Sequence, residues 1–306
     1  MRADRIIVVD WGTTAFRAWL VAADAAILGE IPTGRGMRDL DRSEFAPYCA
    51  GLLAPWRDGA TPPPVYMAGM VGAAQGWVVA PQLPLPVGLA ELARQLVAAD
   101  GLADAWIVPG VRWESPDGEI DVMRGEEVQI FGALAIAGRD GAELCLPGTH
   151  SKWARVRSGR LERFVTHMTG EVRQVMLEHS ILGKTADRDA PFDEPAFRSG
   201  MQASGRGRGL LHAMFLTRSL ALWDRSTAAV GASFLSGVLI ADEIRATAGE
   251  RDDDGPVLLV CGDALRQPYE IALAAHGIAY RHVSAREASL NGIREVVRIA
   301  GTIAAA

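Results

Sequence analysis

Apolar residues fall along this chain in short unbroken runs and in helical spacings, and the two alternate. Ile6 to Val9 is an aliphatic run that predicts a buried strand ending at Asp10. Gly12, Thr13 and Thr14 follow, and Phe16 to Val21 predicts a second strand, so these polar residues lie at the tip of a hairpin. Ser43 to Trp56 reads as a helix ending near Pro55, Val65 to Ala68 as a strand, and Leu89 to Ala99 as a helix with apolar spacing at Leu89, Leu92, Ala93, Leu96 and Val97. Between the last two, Pro81 to Pro86 reads as an extended connector. Trp106 to Val108 predicts a further strand, with a turn at Pro109 and Gly110.

The pattern then repeats. After a helix over Val128 to Ala137, the apolar strand at Glu143 to Leu146 runs into Gly148, Thr149, His150, Ser151 and Lys152, and a second strand follows. Leu161 to Gly170 predicts a strand running into a turn, and helices are expected over Glu171 to His179 and Gly231 to Ala246. Pro256 to Cys261 predicts a buried strand that stops at Gly262, with a helix from Pro268 to Gly277. Ala285 to Ala300 closes the chain as an amphipathic helix.

Composition narrows the class without naming a chemistry. The 306 residues suffice for two domains, and 49% hydrophobic with 22% charged residues is globular. A net charge of −6 offers no basic field for nucleic acid and little attraction to anionic membranes. No apolar run reaches the ~20 residues of a spanning helix. Met1 to Arg5 runs straight into a strand, unlike a secretory signal. Cys49, Cys145 and Cys261 lack metal-ligand spacing, so a reduced cytoplasmic protein is expected, with room for a homo-oligomer.

Four stretches carry candidate chemistry. A strand that runs into acid, glycine and hydroxyls, as at Asp10 to Thr14, suits a metal-bound phosphate, because glycine lets backbone amides approach an anion. Turns favour the same residues for themselves. Gly69 to Trp77, rich in small residues with Gln75 and Trp77, suits a wall near a small polar ligand, or else tight packing after a strand. Asp121 to Glu127 places acids at a helix start, where the macrodipole favours them and where Glu126 shares a face with Gln129, Ile130 and Ala133. Gly148 to Lys152 repeats the first hairpin tip and adds a cation.

Taken in order, Asp10-Trp11-Gly12-Thr13-Thr14, Gly148-Thr149-His150-Ser151-Lys152 and Cys261-Gly262-Asp263-Ala264 resemble the phosphate-1, phosphate-2 and adenosine elements of the actin, hexokinase and Hsp70 superfamily. Together with Asp121 to Glu127, Leu146 to Trp153 and His179 to Leu182, they are similar over essentially the whole chain to the 2-dehydro-3-deoxygalactonokinases. The resemblance implies an α/β protein of two ribonuclease-H-like domains, an actin-like ATPase fold with a cleft between them. The first domain is expected over 1–137 and the nucleotide-binding domain over 138–286, with a helix at about 287–306 packing back on the first. It also implies ATP and Mg²⁺ as cofactors and transfer of the γ-phosphoryl group to the 6-hydroxyl of 2-dehydro-3-deoxy-D-galactonate.

Carried over to this chain, Asp10 would hold Mg²⁺ through water, while Gly12, Thr13 and Thr14 would meet phosphates. Gly148, Thr149, His150, Ser151 and Lys152 would cradle the phosphates from the other domain, and Gly262, Asp263 and Ala264 would lie at the nucleoside. Glu126 stands where related sugar kinases place the base; many of them use Asp, which keeps Asp121 as its rival. Gly69, Gln75 and Trp77 would be on the substrate side. Arg17, Arg35, Arg124 and Lys152 are the cations available to a substrate carboxylate. The alternatives are a kinase of another sugar in the same superfamily and a non-catalytic actin-like nucleotide-binding module.

Overall fold

The computed structural model describes residues 4–249, 251 and 255–303. Residues 1–3 of the expected non-signal start and 304–306 of the expected last helix lie outside them. The chain divides into two compact units, Met1–Ala142 with Ala154–Phe164 and Val283–Ala306, and Glu143–Trp153 with Val165–His282. The chain thus passes between units four times, where the sequence suggested two passages, near 137 and 286.

In the first unit, β1 (Arg5–Trp11) and β2 (Phe16–Ala22) form the expected antiparallel hairpin, with Asp10 opposite Arg17. β3 (Ile27–Ile31) continues the sheet, and after helix α1 (Phe45–Arg57) strand β4 (Val65–Ala68) lies parallel to β1 on its other side. Next come β5 (Gln82–Pro84), α2 (Leu89–Arg94), β6 (Val97–Ala98), β7 (Ala105–Ile107), β8 (Gly110–Glu114), β9 (Ile120–Met123) and α3 (Glu126–Ala137). The main sheet has the order β3-β2-β1-β4-β7-β6, and β5-β8-β9 make a smaller one. Helix α2 stops short of Ala99 because Val97 and Ala98 pair with Ile107 and Trp106; sheet pairing overrides the helical spacing of that stretch. The Pro81 to Pro86 connector contains β5, which pairs in parallel with β8.

Strand alternation aims the first candidate residue. Ile7, Val9 and Trp11 join Phe16, Phe45, Cys49 and Leu53 in one core, so Asp10 points to the opposite face of the sheet.

The second unit is built from β10 (Ala142–Leu146), β11 (Ser151–Arg157), β12 (Arg160–His167), α4 (Thr169–His179), α5 (Glu194–Ser204), α6 (Leu210–Leu222), α7 (Ala228–Ala248), β13 (Val257–Cys261), α8 (Asp263–Ala275) and β14 (Tyr280–Ser284). The strand order is β12-β11-β10-β13-β14, with β10 parallel to β13. Helix α8 begins at Asp263 and carries Pro268 inside it, five residues before the expected start. Val87 and Leu161 exchange backbone hydrogen bonds of 3.1 and 2.7 Å, which accounts for Ala154–Phe164 belonging to the first unit. The final helix, α9 (Ala285–Ile303), returns to that unit as well.

Each unit contains one helix crossing so close that it admits only glycine. A Cβ on Gly132 of α3 would stand 1.9 Å from the Ala288 carbonyl oxygen of α9, and one on Gly292 of α9 would stand 1.8 Å from that of Val128. In the second unit, Gly200 of α5 meets the Phe234 carbonyl of α7, and Gly237 of α7 meets that of Phe197, both at 2.0 Å. Gly237 of the helix expected at Gly231 to Ala246 therefore serves helix packing.

Candidate active site

Three chain segments of the first unit converge at the end of β1. Gly69, after β4, has φ +104°, and a Cβ there would lie 2.7 Å from the Trp11 carbonyl oxygen. Gly125, before α3, has φ +102°, and its Cβ would lie 3.0 Å from Gly69 Cα. Glycine is required on both counts, conformation and space. This stacking brings the start of α3 beside β1.

There Asp10 has Arg17 Nη1 3.7 Å from its Oδ2 and accepts a 3.4 Å hydrogen bond from Ser289 Oγ of α9. Burial raises its carboxyl above the usual range; Arg17 and Ser289 pull it down, and the Glu126 charge adds to the rise. Gln129 Nε2 donates to Ser289 Oγ at 3.1 Å, holding that hydroxyl in place. Glu126, the first residue of α3, is half-buried and acts electrostatically on Asp10. Asp121 lies on β9 in the smaller sheet, where its Oδ1 accepts the Val122 N–H at 2.8 Å.

Glu127 is the residue that sequence reasoning passed over. Its Oε2 accepts the Gly125 N–H at 2.6 Å, its Oε1 has no partner, and the side chain is wholly buried. Burial, with the charge of Glu126 second, pushes its pKa up to about 8, so it is protonated at neutral pH. The only hint in the sequence was a second acid directly after Glu126. Ser289 carried no local signal, since 279 positions separate it from Asp10.

The expected substrate wall is corrected in part. Trp77 is buried, stacks on Phe45 with ring centroids 6.5 Å apart, and donates its indole N–H to the Asp100 carbonyl at 2.9 Å. Gly69 serves the stacking just described, and Gln75 is exposed. Arg124 donates through Nη2 to the Ala80 carbonyl at 2.7 Å, bracing the loop after β4, and its Nη1 is buried without a partner. Arg35 is tied to the Asp39 carbonyl and to Glu44. Gly12 donates its N–H within the turn to Ala15 at 2.9 Å, whereas the Thr13 and Thr14 side chains are exposed.

In the second unit, the turn between β10 and β11 rests on the start of α4. A Cβ on Gly170 would stand 2.4 Å from the Gly148 carbonyl oxygen, and the Glu171 N–H donates to the Thr149 carbonyl at 2.9 Å. Beside them opens a cavity of about 580 Å³ lined by Gly148, Thr149, Gly170, Ser236, Ala264 and Pro268, among others. The first turns of α4 and α8 both border it, and helix N-termini favour anions. Gly262 and Asp263 are exposed at the start of α8. His150 is exposed and paired with Glu171.

Ser151 and Lys152 depart from expectation because both are buried. Ser151 Oγ shares a 2.9 Å hydrogen bond with Tyr269 OH, and Lys152 Nζ donates to the His150 carbonyl at 2.9 Å. Tyr269 OH also donates to Glu243 at 2.8 Å; the same carboxylate accepts Trp153 Nε1 at 2.9 Å and the Thr169 hydroxyl. Both belong to β11, which begins at Ser151; alternation sends the two side chains to opposite faces, and both faces are covered, since the strand is buried from Ser151 to Val156.

Two α/β units with a strand-turn-strand element in each, acids at the end of β1 in one and a cavity in the other, define a protein of the actin-like ATPase fold. The same fold occurs in the Clostridium difficile activator of 2-hydroxyisocaproyl-CoA dehydratase with bound ADPNP, at TM-score 0.54 and 11% identity over 99% of this chain and 98% of that one. The sequence model of 2-keto-3-deoxy-galactonokinase matches residues 10–296, and the chain belongs to that family. It is 36% identical over 295 residues, 95% of each chain, to a probable 2-dehydro-3-deoxygalactonokinase of Rhizobium meliloti (strain 1021). It is 32% identical over 292 residues, 95% of this chain and 97% of the other, to the 2-dehydro-3-deoxygalactonokinase of Escherichia coli (strain K12). A Sinorhizobium meliloti crystal structure provisionally given the same name superposes at TM-score 0.88 with 35% identity, covering 96% of this chain and 98% of that one.

Proposed function

We propose that the chain is a sugar-acid kinase that transfers the γ-phosphoryl group of ATP to the 6-hydroxyl of 2-dehydro-3-deoxy-D-galactonate. The observation that carries the reading is Asp10 at the end of β1 with Glu126 acting on it, in a chain that matches the kinase family from residue 10 to residue 296. Phosphoryl transfer needs little covalent help from protein; it needs positioning, charge neutralisation and a base for the attacking hydroxyl. Glu126 is the proposed base, accepting the 6-hydroxyl proton as that oxygen bonds to the γ-phosphorus and ADP leaves. Asp121 is its rival on a strand of the smaller sheet.

A Mg²⁺ ion suits Asp10. Among the described residues no group of three or more His, Cys, Asp or Glu side chains forms a metal cage. Mg²⁺ on a nucleotide needs none, since it keeps waters and takes one or two carboxylates beside the phosphates. When bound it would neutralise phosphate charge. Arg17, held beside Asp10, adds positive charge there. Gly148, Thr149 and Ala264 would meet the nucleotide from the second-unit cavity, with Gly262 and Asp263 at its rim.

A cytoplasmic location belongs to the same reading; among the described residues no helix is long and apolar enough to cross a membrane. The test is ADP release from ATP with a panel of sugar acids. Release that depends on 2-dehydro-3-deoxy-D-galactonate and yields its 6-phosphate is expected. Equal release without sugar, or with a different acid preferred, would overturn the assignment.

A further inference from the structure

Helix α6 of the second unit is apolar on both faces. Ala213, Met214 and Thr217 are buried beneath it, yet on the outer side Leu211 is 82% exposed, Phe215 50% and Leu222 54%, and Trp223, just past the helix end, is 77% exposed. Leu211, Phe215, Arg218 and Leu222 are spaced by four, three and four residues, the spacing of a seam between two packed helices. Ile181, 54% exposed, adjoins the seam, because Arg218 Nη1 donates to its carbonyl at 3.2 Å.

The order along the seam is self-complementary. Laid antiparallel on its own copy about a two-fold axis midway between Phe215 and Arg218, the stripe sets Leu211 against Leu222 of the other chain. The same operation sets Phe215 against Arg218, an aromatic ring against a guanidinium, twice over. Leu211, Phe215, Leu222 and Trp223 present roughly 450 Å² of apolar surface per chain, taking ~150–250 Å² for a large side chain. Two copies would bury about 900 Å² before Arg218 and Ile181 are counted, close to the lower bound of a specific interface. The patch falls within the ~300–600 Å² of the largest apolar patch on a typical monomer, and patches of that size are often functional. We propose that the outer face of α6 is a homodimer interface in which two copies pair antiparallel across the two-fold axis.

Sedimentation velocity of the full chain over a roughly hundredfold concentration range tests this. A monomer–dimer equilibrium is expected, and a wild-type protein that stays monomeric throughout would overturn the proposal. Leu211→Glu should weaken dimerisation at least about tenfold. The double variant Leu211→Glu/Leu222→Lys should restore it, because only the antiparallel register sets the two new charges against each other. A dimer indifferent to Leu211→Glu, or a double variant no better than the single one, would sink the register. Unchanged ADP release in both variants verifies that they fold, since neither position lies in the proposed catalytic machinery.

Discussion

Each unit contains a buried glutamate, and the two are treated in opposite ways. Glu243, on α7, accepts hydrogen bonds from the Trp153 indole, the Thr169 hydroxyl and the Tyr269 phenol. Glu127, one residue into α3, has one oxygen on the Gly125 N–H and the other without a partner. A carboxylate surrounded by donors is a fastening: it joins β11, α4, α7 and α8, and nothing remains for it to bind. An under-partnered carboxyl beside the charge of Glu126 is kept at a cost in stability, and such costs are concentrated where chemistry is done. The difference separates architecture from chemistry more sharply than burial does, since both side chains are inaccessible.

The largest expected effect lies on the chemical side. Asp10→Asn should lower kcat by on the order of 10³-fold while the denaturation midpoint shifts little, as steady-state kinetics alongside thermal unfolding will read. Retained activity would remove Asp10 from the site. On the architectural side, Glu243→Leu strands two buried donors and a half-buried third and should cost about 3–5 kcal/mol of unfolding free energy in urea denaturation. A loss below about 1 kcal/mol would mean that the network is not a fastening.

Glu126→Gln should lower kcat about 10²-fold at saturating ATP, with Asp121→Asn near wild type; the reverse result would transfer the role of base to Asp121. The smallest effect concerns Glu127. Folding raises its pKa from 4.5 to about 8, so the folded chain holds a proton that the unfolded chain has released in this window. The Glu127 contribution therefore falls as pH rises from about 4.5 to about 8. Glu127→Gln removes that decline and should be more stable than wild type at pH 9 by on the order of 2 kcal/mol, with a smaller difference at pH 5. Parallel pH profiles for the two proteins would contradict a protonated Glu127.

Much of the fold was legible because it rests on local signals. The β1–β2 and β10–β11 hairpins, β4, β13 and the helical character of α3 and α9 all follow from apolar runs and their punctuation. What escaped was set by distant partners. Val97 fits a helix by spacing but becomes strand because β7 lies beside it. Trp77 reads as ligand wall by composition, yet Phe45 and the Asp100 carbonyl claim it. Ser151 and Lys152 have the right chemistry for a phosphate turn, but they fall in β11, whose two faces are both covered. Asp10 and Glu126 stand out in the sequence because their segments are short and acidic; Glu127 was hidden by the same neighbourhood, and Ser289 by its distance along the chain.

That distance sets a timetable for synthesis. Helix α3 is complete at Ala137, but the helix that seats against it through Gly132 and Gly292 starts at Ala285, with the whole second unit made in between. At ~5–20 residues per second, the apolar flank of α3 and the Asp10 face of the sheet wait roughly 10–30 s for their cover. A ribosome-bound chain is thus able to assemble its second unit before Asp10 has Ser289 as a partner. A chain halted before α9 emerges would carry no Ser289 for Asp10, leaving the first-made strand as the last part of the molecule to become competent.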